Sequence, residues 1–181
     1  VTGLVNAFKG LGRDALAFDE SLDRMGTALQ QAGIPASQVS AEIQKTLDFT
    51  LELGNQFAFP VEKLREFAGL ASSIGGATGK SQQDLTKLAM ALEEATGGFV
   101  TGDMAIRIFS KGVTDPDAQM AMGRLQTQFP ALANALKGIK DPAEATQKAL
   151  EFFGGTLENM QDKGAADQLL VLKNTFKDVK E

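Results

Sequence analysis

The chain has 181 residues and a net charge of −5, from 18 Lys and Arg against 23 Asp and Glu. It contains no His and no Cys, which excludes the commonest general base, the commonest metal ligand, thiol nucleophiles and disulfides. Its basic residues are scattered, which argues against a nucleic-acid site, and no apolar stretch is long enough for a transmembrane segment. The chain begins at Val1 and stops inside a helical pattern, so we expect it to be a segment of a longer protein.

Ala and Leu dominate the sequence, and the β-branched residues that favour sheets are few. The composition and periodicity predict an all-α fold, a bundle of short amphipathic helices flanked by longer N- and C-terminal helices with heptad-like seams. We expect residues 1–34 to form a long amphipathic helix and 35–155 a compact helical bundle. Residues 156–181 should form a helix that leads into the rest of the parent chain.

The first predicted helix runs from about Thr2 to Ala32 and carries apolar residues at alternating spacings of four and three. This spacing is a heptad seam, typical of a helix that packs along a partner helix. We call the following residues the N-terminal seam: Leu4, Phe8, Leu11, Ala15, Phe18, Leu22, Met25 and Leu29. The seam is a possible helix-packing or oligomer surface. The pattern leaves open whether it packs inside the chain or forms a coiled coil between chains.

Gly33 and Pro35 should end the first helix. A second helix is predicted from about Ser37 to Gly54, with one apolar face consisting of Val39, Ile43, Leu47 and Leu51. Pro60 then opens a third helix that extends to about Ile74.

Ser81 should cap the fourth helix, with Asp84 completing a capping box, and this helix should end before Gly97-Gly98. LREFAGLA (64–71) and LTKLAMAL (85–92) form a weak internal repeat across these two helices. The stretch from Phe99 to Phe109 is ambiguous, because its apolar residues alternate as in a strand. We predict a helix there, over about 103–111.

Three more helices are predicted, opening at Asp115-Pro116, at Pro130 and at Asp141-Pro142. From Thr156 the chain should be helical again, with a break near Gly164. A second four-three pattern follows the break, at Ala165, Leu169, Leu172, Phe176 and Val179.

The stretch IGGATGKS (74–81) resembles a phosphate-binding loop, G-x-x-x-x-G-K-S/T. It lacks the first glycine, since Ile74 stands there, and a helical pattern precedes it where such a loop needs a strand. DPDAQ (115–119) begins like a calcium loop but lacks the later glycine and glutamate. Met120 and Met122 fit the core better than a binding surface. The sequence therefore predicts no catalytic residues, no cofactor and no metal site, and we do not expect an enzyme.

Short helices rich in Ala, Gly and Leu fill three stretches of the chain. These are FPVEKLREFAGLASSIGGATGKSQQDLTKLAMALEEATGG (59–98), FPALANALKGIKDPAEATQKALEFFGG (129–155) and DQLLVLKNTFKDVKE (167–181). In style they resemble the conserved region of phage tail tape-measure proteins, from about Asp19 onward.

The resemblance implies a virion structural protein in the lumen of the tail tube, made in the host bacterial cytoplasm. Such a protein sets tail length during assembly and is released at DNA ejection. The implied partners are copies of itself, which form a homo-oligomer through long helices, together with tail tube and tail assembly chaperone proteins. The alternative is an all-α protein–protein interaction or scaffold domain with no viral role.

Overall fold

The computed structural model describes residues 22–111 and 116–165, and every regular element in these two ranges is an α-helix. This confirms the all-α prediction. The helices are α1 (22–31), α2 (Ala36–Phe57), α3 (Val61–Gly75), α4 (Gly79–Thr96), α5 (Gly102–Lys111), α6 (Pro116–Gln128), α7 (Pro130–Leu136), α8 (Pro142–Phe152) and α9 (154–165).

Helix α2 is longer than its sequence predicts, because Gly54 does not end it. A Cβ at Gly54 would lie 2.6 Å from Val61 Cγ2 and 3.0 Å from the carbonyl oxygen of Phe59. The glycine therefore allows the start of α3 to pack closely against α2, and the helix continues to Phe57. It ends at Ala58, whose left-handed backbone (φ 49°) donates its N–H to the Gly54 carbonyl.

The internal repeat forms the centre of the main core. Four pairs of equivalent positions are buried in both copies: Leu64 and Leu85, Phe67 and Leu88, Ala68 and Ala89, and Ala71 and Leu92. Each copy is followed by a glycine with a left-handed backbone, Gly76 at the C-cap of α3 and Gly97 at the C-cap of α4. Helices α3 and α4 pack on each other and both pack on α5, so the repeat corresponds to two similar helices that share one apolar layer.

The ambiguous stretch is helical, because α5 covers most of it. Helices α3, α4, α6 and α8 all contact α5. Its residues Ala105, Ile106, Ile108 and Phe109 are buried. The buried positions Gly102, Ala105, Ile106 and Phe109 follow the i, i+3, i+4, i+7 spacing of one helical face, and Ile108 is buried beside them, so the apolar alternation of this stretch is compatible with an amphipathic helix.

The main core extends beyond the predicted boundary at residue 155. It runs from Leu53 to Met160, so α9 packs on the bundle. The predicted break near Gly164 is wrong, since α9 remains helical through residue 165. A Cβ at Gly164 would lie 3.0 Å from the carbonyl oxygen of Gln56 and 3.2 Å from the amide nitrogen of Ala58, so this glycine allows close contact with the end of α2.

Candidate functional site

The glycine-rich stretch 74–81 forms the corner between α3 and α4. Gly76 is the C-cap of α3, with φ +60°, and Thr78 is the N-cap of α4. The Ser81 hydroxyl accepts from the Thr78 N–H at 3.2 Å and donates to the Thr78 carbonyl at 2.9 Å. The prediction that Ser81 caps α4 is therefore wrong, because Ser81 is the third helical residue of a capping box that Thr78 opens. These polar groups bond within the corner.

A cavity of about 600 Å³ lies beside this corner, between the first turns of α4 and α8 and the end of α5. Leu85 and Phe109 are part of its wall, and the exposed Lys80 also lines it. Its two carboxylates make structural bonds. Asp84 Oδ2 accepts from Gln147 Nε2 at 2.7 Å, while Asp141 Oδ1 accepts from the Ala143 N–H at 3.0 Å and so caps α8.

In the described ranges, residues of both ligand motifs have local structural roles. Two carboxylates line the cavity beside Lys80, and negative charge there opposes a phosphate group. No group of three or more acidic side chains in residues 22–111 and 116–165 is placed to hold a metal ion. In the calcium-like motif, residues 116–119 are helical, because they are the first residues of α6. Asp115 lies outside the described residues.

The N-terminal seam is described for its last three positions. Met25 and Leu29 are buried in a small cluster with Val39, separate from the main core, with Ile34 and Ile43 packed against it. Leu22, the first described position, is half-buried. Within this segment, therefore, the seam packs inside the chain against α2. The other five positions lie outside the described residues: Leu4, Phe8, Leu11, Ala15 and Phe18.

The face of α2 that covers α1 is the same face that enters the main core. Val39, Thr46, Thr50 and Leu53 are buried and follow one another at spacings of seven, four and three, which places them on one side of a helix. The Thr46 hydroxyl donates to Gln82 Oε1 of α4 at 3.1 Å. From Thr46 onward this side of α2 is thus occupied by the bundle, and α1 can use only the part before it.

One exposed apolar surface was not predicted from the sequence. Phe99, at the turn between α4 and α5, is 47% exposed, and Met120 on α6 is 60% exposed. Arg124 lies one helical turn beyond Met120, and its guanidinium carbon is 5.6 Å from the centre of the Phe99 ring. The expectation that Met120 and Met122 are core residues holds only for Met122, which is buried.

Comparison with protein-family models, with curated proteins and with solved structures finds no match to this chain. Among the described helices, none combines the length and the apolar character needed to cross a membrane.

Proposed function

We propose that this chain is a non-catalytic structural segment of a phage tail tape-measure protein. In this proposal the parent lies in the lumen of the tail tube, sets tail length during assembly and is released at DNA ejection. The resemblance of three stretches, 59–98, 129–155 and 167–181, is the starting point. The structural observation that supports it is the limited cover that α2 gives to the N-terminal seam.

The seam is longer than the surface that α2 can offer it. From Leu4 to Leu29 it would span about 38 Å as a helix, at about 1.5 Å per residue. Helix α2 packs on α1 through Val39 and Ile43, and from Thr46 onward the same side belongs to the bundle. Large apolar side chains repeated along a helix need cover from water. We infer that the five positions before Leu22 are covered by the same helix of other copies, in a parallel coiled coil of a few chains.

The bundle would then be a folded unit carried on an oligomeric rod. The Glu93 carboxylate of α4 contacts two other helices of this unit, since it pairs with Lys63 of α3 and accepts from the Gly102 N–H of α5 at 2.9 Å. Tail tube and chaperone proteins are the partners that the resemblance suggests, and the virion tail is the proposed location.

Tail length in a phage that carries the parent gene tests this proposal. An in-frame deletion of about 100 residues of predicted long helix should shorten tails by about 150 Å, at about 1.5 Å per helical residue. Electron microscopy of negatively stained particles measures this directly. As the matched control, an unrelated helical sequence of equal length in the same place should restore the tail. Tails of unchanged length after the deletion would contradict the proposal.

The compact core supports a second candidate, an all-α interaction or scaffold domain with no viral role. One cluster of buried side chains joins α2 through α9, from Leu53 to Met160. A single core shared by many short helices is typical of a folded domain and not of a continuous helical rod. Under this candidate, disrupting the parent gene would leave any phage tail unaffected.

A further inference from the structure

Two exposed apolar side chains and a cation lie on α6 and on the turn between α4 and α5. Phe99 and Met120 are among four large apolar side chains of the described ranges that are more than two-fifths exposed. Arg124 contacts the Phe99 ring and also donates to Met104 Sδ at 3.5 Å, so its guanidinium is held in place. We call Phe99, Met120 and Arg124 the Phe99 patch. Aromatic, Met and Arg side chains are the types enriched where proteins bind one another.

A surface with two exposed carboxylates lies on the outer side of α2. Leu47 and Leu51 are four residues apart on this side, away from the buried face, and Leu51 is 49% exposed. Leu47 belongs to neither hydrophobic cluster. Asp48 and Glu52 are exposed beside these leucines and are also four residues apart. Lys45 and Lys87 line a pocket with them, but Lys45 pairs with Glu42 and Lys87 lies over the Phe49 ring. We call these four residues the α2 outer face, and its acidic rim complements the cation of the Phe99 patch.

We propose that the Phe99 patch of one copy binds the α2 outer face of a second copy, with Arg124 facing Asp48 and Glu52. Helix α2 packs on α3 and α4, whereas α6 packs on α5 and α7. The two surfaces thus lie on helices with different packing partners, and in this proposal one chain uses both at once.

Contact between two different surfaces is heterologous and closes into a ring when the rotation permits. This inference rests on the proposed function, because neighbouring bundles around the axis of a parallel coiled coil meet through such a pair of different surfaces. The coiled coil would bring the copies together, and the patch would set how their bundles contact one another.

Disulfide cross-linking tests the contact cleanly, because the chain has no cysteine of its own. Leu51→Cys and Met120→Cys chains are prepared separately, mixed and oxidised. The mixture should give a cross-linked pair well above either chain alone, and well above a Leu51→Cys mixture with Gln161→Cys, an exposed control site on α9. Arg124→Glu should lower the yield about tenfold, and Glu52→Arg in the other chain should restore it, since like charges repel and opposite charges attract across an interface.

A Leu11→Cys chain reports the coiled coil separately, because a parallel seam brings Leu11 of two copies together. If Leu11→Cys pairs while the Leu51 and Met120 variants do not exceed the Gln161 control, the patch proposal is overturned and the proposed function stands. If the patch pair forms without Leu11→Cys pairing, the coiled coil is overturned and the contact stands. If neither forms, both are overturned.

Discussion

Gln82 should be the polar side chain on which the arrangement of α2, α3 and α4 depends most. It is only 4% exposed. Its amide nitrogen donates to the Ala68 carbonyl at 3.1 Å and to Ser72 Oγ at 2.9 Å, while its amide oxygen accepts from Thr46 at 3.1 Å. One side chain therefore joins three helices. We predict that Gln82→Ala strongly destabilises the bundle.

The size of the effect follows from these bonds. Three hydrogen bonds at a net value of about 1 kcal/mol each give a loss of about 3 kcal/mol. The cavity left by the side chain adds about 1 kcal/mol. The Thr46 hydroxyl keeps a second acceptor, the Glu42 carbonyl at 2.9 Å, and the Ser72 hydroxyl still donates to the Ala77 carbonyl at 2.8 Å, which offsets part of the loss. The expected total is about 3 kcal/mol, equal to about 6–12 °C in Tm for a chain of this size.

Urea unfolding followed by circular dichroism measures this loss. Gln82→Met fills most of the volume without the bonds, so its difference from Gln82→Ala separates the cavity contribution from the bond contribution. Gln44→Ala is the matched control, because Gln44 is exposed and makes one surface bond, to Asp48. It should change stability by less than about 0.5 kcal/mol. A Gln82→Ala loss no larger than that of the control would refute the reasoning.

Three further predictions concern the α4–α5 region and the glycine corner. Gly102→Ala should destabilise by about 1–3 kcal/mol in urea unfolding, because its Cβ would collide with the buried Phe67 ring; a higher unfolding midpoint would contradict this. The Glu93 carboxylate, by accepting a hydrogen bond from Lys63, raises the pKa of Lys63 above its ordinary 10.5. The stability this gives is complete below about pH 10.5 and is lost as the pH rises through the raised pKa; NMR titration of Glu93→Gln should show the Lys63 pKa fall, and an unchanged value would count against the pairing. ATP with magnesium should leave Tm unchanged, whereas a saturable shift that disappears in Lys80→Ala would show that the corner binds nucleotide.

Residues that start or end helices made much of the fold predictable from the sequence. Proline, glycine and a capping carboxylate act on the residues next to them, so the starts of α7 and α8 and the end of α4 could be located from the sequence. The cap of α4 could not be located, because Thr78 and Ser81 are both good caps three residues apart. Only the folded corner shows which hydroxyl opens the helix.

The role of glycines inside helices could not be predicted, for a different reason. The sequence predicts that Gly54 and Gly164 end or break helices, yet both lie where another segment approaches closely. That approach depends on residues distant in sequence, which a local pattern does not show. The exposure of Met120 has the same origin, since burial depends on which helices pack beside α6.

The seam pattern was predictable from the sequence, but its partner was not. The spacing alone predicts that Met25 and Leu29 are buried, and the structure shows that they are buried against Val39. The other use of this side of α2, its packing on the bundle, involves contacts such as the bond between Thr46 and Gln82, which links distant parts of the chain.

Sedimentation velocity of two seam variants tests the central claim most directly. Leu11→Asp changes a position outside the reach we infer for α2, whereas Leu29→Asp changes one that α2 covers. We predict that the unmodified chain self-associates, and that Leu11→Asp makes it monomeric while the cooperative melt of the bundle is unchanged. Leu29→Asp should instead destabilise the packing of α1 on α2. An unmodified chain that is monomeric throughout, together with a Leu11→Asp variant that melts at a lower temperature, would show that the seam packs inside the chain and would contradict the account.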